Sequence, residues 1–148
     1  MIGVDSNVLV HAADEFAPEH AACRRLILEG HASPDLPAEA LCIPWSVIYE
    51  FLRVVTHPRV LRRPWSTPEA WEYVRVLLRS AHITVLGPGP GHAAAAERML
   101  NAPGVRGNLV HDAHIAAVLA EHGVRRIYTR DQDLRRFPGL EVVDPLAL

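Results

Sequence analysis

No lysine occurs anywhere in this chain; all 15 basic residues are arginines. Chemistry that depends on a catalytic or phosphate-gripping lysine is thereby excluded. Cysteine is scarce as well. Its two copies, Cys23 in an amphipathic segment and Cys42 in an apolar run, read as buried reduced thiols rather than a disulfide framework. No stretch approaches the ~18 apolar residues of a membrane-spanning helix. The opening MIGVDSNVLV lacks the basic n-region of a secretory signal. The expectation is a soluble, cytoplasmic protein with no membrane contact. Positive charge is not in excess either: 15 basic against 17 acidic side chains leave a formal charge of −2. Bulk attraction to nucleic acid is absent, so any such binding has to come from a local patch.

What is present is an ordinary globular composition, 49% apolar and 22% charged, over 148 residues. That length suits a single domain, residues 1–148, with room for a real core. The chain shows no internal repeat and no dividing linker. Short apolar runs alternate with helical patterns. IGV (2–4), LCIP (41–44), ITVL (83–86), RIYT (126–129) and LEVV (140–143) read as strands. PEHAACRRLILE begins at Pro18 and stops at Gly30, with proline at the start and glycine past the end, as helices prefer. WSVIYEFLRVVTH is a helix that must end near Pro58. Ser66 or Thr67, ahead of Pro68 and Glu69, marks the N-cap of a helix running to Ser80. HAAAAERML is a shorter helix, and LVHDAHIAAVLAEHG closes at Gly123. Strands alternating with helices predict an α/β fold with a parallel sheet covered on both faces.

The acids fall at telling places in that order. Ligand sites of parallel α/β sheets lie beyond the carboxyl ends of the strands. Asp5 follows the first strand, and Asp131 lies just beyond the fourth. Glu50 is early in the helix leaving the second strand. Asp112 is near the start of the helix feeding the fourth, which runs antiparallel to that strand. Four carboxylates far apart in sequence are therefore expected at one edge. Asp112, Ile115, Ala116, Leu119 and Ala120 follow the spacing of a buried helical stripe, with an acid at its head. Glu50 lies between Val47 and Val54 on its own helix, where Arg53 is the one basic neighbour. A buried carboxylate without a cation or hydrogen bonds is very unfavourable. Taken singly, each acid also reads as a cap or a turn, Asp5 as the cap of a helix after the first strand and Asp133 of a turn over LRRF. Taken together they call for a divalent cation, and oxygen-only ligands favour Mg²⁺ or Mn²⁺ over Zn²⁺.

These pieces resemble the PIN domain family, and within it the VapC-type toxins of bacterial toxin–antitoxin pairs. The matching stretches are VDSN with Asp5, WSVIYEFLRV with Glu50, HDAHIAA with Asp112 and YTRDQDL with Asp131. Their order and spacing extend the resemblance over essentially the whole chain. It implies a three-layer domain around a five-stranded parallel sheet and a metal-dependent endoribonuclease acting as a toxin. It implies an active site of Asp5, Glu50, Asp112 and Asp131, supported by Asn7, Thr129 and Asp133. Asp133 is either a further metal ligand or a supporting group, and the site holds one ion or two. RNA as substrate, a cognate VapB-type antitoxin and a homodimer are implied as well.

Other features point elsewhere or nowhere. GPGPGH (87–92) lacks the GK[ST] ending of a P-loop, and its prolines remove backbone donors, so it reads as a turn. His111, Asp112 and His114 offer zinc ligands or an HD-type phosphohydrolase site, but that architecture is all-helical. Trp45, Trp65 and Trp71 read as packing residues rather than base-stacking platforms, with Trp45 close to the expected site edge. Arg59, Arg62 and Arg63 form either a solvated run or a phosphate-gripping rim. A Mg²⁺-binding phospho-acceptor domain would also gather aspartates at strand ends, but it requires a lysine opposite them. A catalytically inactive PIN scaffold would have no need of the complete acid set.

Overall fold

The computed structural model describes residues 1–31 and 33–147. Its strands are β1 (Ile2–Val4), β2 (Leu41–Pro44), β3 (Ile83–Leu86), β4 (Arg126–Tyr128) and β5 (Glu141–Val143). All pair in parallel, in the order β3-β2-β1-β4-β5. β1 and β2 are buried at every residue, as strands covered on both faces must be. The chain moves outward from β1 through β2 to β3, then returns to the other side of β1 for β4 and β5. The order reverses between β1 and β4, and that is where open α/β sheets form their ligand crevice.

Helix pairs fill the three long crossovers. α1 (Ser6–Ala13) and α2 (His20–Glu29) follow β1, and α3 (Trp45–Thr56) and α4 (Thr67–Arg79) follow β2. α5 (His92–Leu100) and α6 (Leu109–Glu121) lead into β4, and a 3-10 turn (Gln132–Arg136) joins β4 to β5. The cap at Ser66 forms in full: its hydroxyl accepts from the Glu69 backbone N–H at 3.3 Å, and the Glu69 carboxylate accepts from the Ser66 N–H at 2.7 Å. α3 ends at Thr56, before Pro58. Gly30 closes α2 in the left-handed conformation, φ +79°.

Three boundaries differ from the sequence reading. Pro18 lies in a turn, and α2 starts at His20, because Asp14 accepts from the Phe16 N–H at 3.1 Å and tightens the chain before the helix. Thr129 and Leu140 fall just outside β4 and β5. α1 itself carries a mostly apolar sequence too short to stand out by period; its cap is Asp5. Cys23 and Cys42 are free and buried, and burial pushes their thiols up to about 11 and about 12, so both stay protonated. Among the described residues no helix is long and apolar enough to cross a membrane.

One close approach lies between β1 and α6. A Cβ on Gly3 would stand 3.0 Å from both methyl carbons of Leu119, so any larger residue there would press on the Leu119 side chain of α6. Gly3→Ala should therefore lower stability by about 1–3 kcal/mol, the usual consequence of overpacking. Urea unfolding measures it, and an unchanged midpoint would mean that α6 does not seat there.

Candidate active site

Asp5 closes β1 and opens α1. It is 5% exposed, yet its carboxylate is well provided with donors. Oδ1 accepts from the Ser6 backbone N–H at 2.7 Å, which makes Asp5 the N-cap. Oδ2 accepts from the Thr129 hydroxyl at 2.7 Å and from the Asn7 amide at 2.8 Å. Thr129, fully buried, also accepts from the Asn7 amide at 2.8 Å and from the Asp131 N–H at 2.9 Å. Asn7 Oδ1 accepts from the Arg130 N–H at 3.3 Å. One network thus ties the end of β1 to the end of β4 across the switch point.

Asp131 caps the 3-10 turn, its Oδ1 accepting from the Asp133 N–H at 2.8 Å. Asp133 faces a cation instead: Arg136 donates to its carboxylate at 2.7 Å and to its carbonyl at 3.0 Å, and reaches the Pro103 carbonyl at 3.5 Å. Glu50 stands at the border of α3 rather than on its apolar face, which consists of Val47, Ile48, Phe51 and Val55. Its only ion-pair partner among the described residues is Arg53, at a loose 3.8 Å.

Asp112 is the electrostatic centre. Burial at the head of α6, followed by the charges of Asp131, Asp5, Glu50 and Asp133, pushes its carboxyl up to about 6. Among the described residues no ion pair or hydrogen bond to the Asp112 carboxylate offsets these influences. Asp5 is raised as well, first by burial and further by Glu50 and Asp131, against the lowering effect of Thr129 and Ser6. The four acids therefore share one electrostatic neighbourhood. Among the described residues, however, no three His, Cys, Asp or Glu side chains are grouped closely enough to hold a metal ion as placed.

The arginine run is not part of that neighbourhood. None of Arg59, Arg62 and Arg63 is among the charges acting on Asp5 or Asp112. Arg62 lies over the Phe16 ring at 4.8 Å, and Arg63 lines a groove of about 770 Å³ with Phe16, His20, Trp65 and Tyr73. None of the four acids lines this groove or a smaller one of about 350 Å³. Sequence reasoning passed over Arg130 and Arg136. Arg136 had a signal, the i, i+3 spacing from Asp133. Arg130 had none, because its partners Glu19, at 2.6 Å, and Asp144, at 3.8 Å, are far away in sequence.

The PIN domain sequence model matches residues 2–140. Ribonuclease VapC48 of Mycobacterium tuberculosis is 34% identical over 97% of this chain and 96% of its own length. Ribonuclease VapC43 of the same organism is 38% identical over 99% and 96%. Among solved structures, the fold is similar to that of VapC20 of M. tuberculosis, a toxin described as cleaving the sarcin–ricin loop (TM-score 0.63, 18% identity, 95% of this chain and 99% of that one). It is equally similar to a chain in VapBC2 of Rickettsia felis bound to a promoter DNA fragment (TM-score 0.65, 15% identity, 97% and 98%).

Asp112 gives this site a pH signature. Its folded pKa, about 6, lies above the ordinary aspartate value of 3.8. The folded state then binds more protons than the unfolded one between these values, so stability falls as pH rises through that window. In EDTA, Asp112→Asn should melt above wild type at pH 7.5 and lose the advantage near pH 4. The gain should be on the order of 1 kcal/mol, since partial exposure screens the repulsion. An equal difference at both pH values would show that the acids do not repel one another. Asp5 would be a poorer probe, because its replacement also breaks hydrogen bonds.

Proposed function

Because the chain belongs to the PIN domain family, we propose that it is a metal-dependent endoribonuclease, the toxin of a VapBC-type toxin–antitoxin pair. The observation that carries this reading is Asp112, whose carboxyl is raised first by burial and then by four other acids, with no ion-pair partner among the described residues. Such a group is tolerated where a divalent ion binds, and an all-oxygen donor set suits Mg²⁺ or Mn²⁺. In this reading Asp5, Asp112, Asp131 and Glu50 hold the ion. When bound, it neutralises phosphate charge and makes water more acidic.

The chain's own residues perform the positioning. Thr129 and Asn7 fix the Asp5 carboxylate through Oδ2, while Oδ1 accepts from the Ser6 N–H at 2.7 Å and, at a long 3.5 Å, from the Ser6 hydroxyl. Asp131 is oriented by its bond from the Asp133 N–H, while Asp133, engaged by Arg136, serves in support. Glu50, at the solvent border of α3, is the group best able to orient an attacking water. That water forms the new bond to phosphorus, the sugar oxygen leaves with a proton, and no nucleophilic side chain or 2′-hydroxyl attack is needed. An open edge accommodates a polymer better than a small metabolite. The names of the near-full-length relatives, ribonucleases in each case, support RNA as that polymer. Arg59, Arg62 and Arg63, all exposed, supply a more distant rim for its phosphates. The same reading has residues 1–148 act in the cytoplasm as one domain, as a homodimer restrained by a cognate VapB-type antitoxin.

Asp112→Asn should abolish Mg²⁺- or Mn²⁺-dependent cleavage of RNA with the fold intact by circular dichroism; full activity at matched metal and salt would refute the assignment. Thr129→Val, which removes the hydroxyl that supports Asp5 and also accepts from Asn7 and the Asp131 N–H, should reduce metal affinity or activity roughly 10–100-fold. Replacing Arg62 and Arg63 by Ala should flatten the salt dependence of RNA binding while leaving metal affinity unchanged, and an unaltered slope would reduce them to solvated bystanders.

A further inference from the structure

Helix α3 presents a second pattern opposite its buried face. Trp45, Tyr49 and Arg53 recur at i, i+4 and i+8, stacked one above another along about 12 Å of the helix surface. All three face solvent: Trp45 is 37% and Tyr49 69% exposed, and the Arg53 side chain 66%. The two rings are neighbours, with centroids 6.3 Å apart and planes tilted by 43°. Trp45 is covered in part, its ring edge lying near Gly87, whereas Tyr49 is left largely open. Trp65, by contrast, sits among Phe51 and Tyr73 at 6.2 and 5.5 Å, as a core-edge tryptophan does.

The position of the stripe suggests what covers it. Trp45 directly follows Pro44, the last residue of β2, so the stripe starts at the carboxyl edge of the sheet. Glu50 lies beside Tyr49 on the same helix and contacts Arg53 at 3.8 Å. Two open aromatic faces and one arginine, in line and bordering the carboxylates, match a single polynucleotide strand: bases stack on aromatic rings regardless of sequence, and arginine takes phosphate. A duplex offers no free base faces, so the match is to unpaired RNA. Arg53 also supplies a positive charge beside Glu50. We propose that Trp45, Tyr49 and Arg53 form a single-strand platform that delivers unpaired nucleotides to the carboxylate edge. The proposal rests on the nuclease reading and narrows its substrate class.

The test uses the full-length Asp112→Asn protein, which should not cut the probe, and a fluorescein-labelled single-stranded oligoribonucleotide of mixed sequence. Anisotropy is read in EDTA and in Mn²⁺, with a perfectly paired hairpin as the second probe. Trp45→Ala and Tyr49→Ala should each weaken single-strand binding about tenfold, in the range of one lost base stack. Trp45→Phe and Tyr49→Phe should restore it, and hairpin binding should not change. Arg53→Ala should reduce the salt slope by about one. With the catalytic aspartate present, the loss should fall mainly on KM. Unchanged single-strand binding in both alanine variants would overturn the platform, as would a loss that phenylalanine does not restore. A dimer that dissociates in the alanine variants, seen by sedimentation, would overturn it too by assigning the face to a second copy of the chain. The two readings can fail separately. Wild-type protein that cleaves RNA while the alanine variants keep its KM disproves the platform alone. Aromatic-dependent binding without cleavage in any divalent metal disproves the nuclease alone.

Discussion

A carboxylate buried to 5% exposure has to be held, and the way Asp5 is held organises this molecule. Its hydrogen bonds reach forward into α1 and across the sheet to Thr129, so a single side chain caps a helix and joins two strands. The Thr129 hydroxyl is saturated: it donates to Asp5 and accepts from Asn7 and from the Asp131 N–H. That saturation passes the order of β1 on to the turn carrying Asp131. Gly3 leaves room for the Leu119 side chain of α6 against β1, and at the head of the same helix Asp112 feels the charge of Asp5. The fold thus maintains a repulsion among acids and stabilises it with neutral donors.

The arginines show the complementary half of that design. Near the site, each is engaged with an acid other than Asp5 or Asp112. Arg136 takes Asp133, Arg130 bridges Glu19 and Asp144, and Arg53 holds Glu50 loosely. These pairs fasten the loops around the edge while leaving its centre negative. An arginine placed at that centre would occupy the oxygens that a divalent ion needs. With no lysine in the chain, no other strongly basic side chain can take that role.

Openness is the other property that bears on function. The larger groove lies among α1, α2, α4 and the loop of Arg63 and Trp65, away from the four acids. The acids occupy a rim instead, with an aromatic and arginine stripe leading up to it along α3. A rim of this kind processes a strand that passes over it, whereas an enclosed cavity would select a small molecule by shape.

Much of this was legible without coordinates. Alternation of apolar runs with helical periods determined the α/β class, because strand and helix periods are local properties of the chain. The same alternation placed Asp5, Glu50, Asp112 and Asp131 at one edge, since a helix feeding a parallel strand must begin where that strand ends. Pro58, Ser66 and Gly30 fixed helix boundaries through local sterics and hydrogen bonding. What the sequence could not decide depended on distance. It read Trp45 as packing, although the ring is partly open, because exposure depends on what neighbouring elements cover. It left Asp133 undecided between ligand and support, and it did not reveal the Arg136 contact to that carboxylate. Strand order, the reversal between β1 and β4, and the contact of Gly3 with Leu119 all join residues more than a hundred positions apart or set their order in the sheet. The sequence determined which groups stand at the edge. Tertiary packing decided which of them are buried, which are paired and how strongly they repel, because desolvation and Coulomb energy depend on surroundings that no single stretch of chain contains.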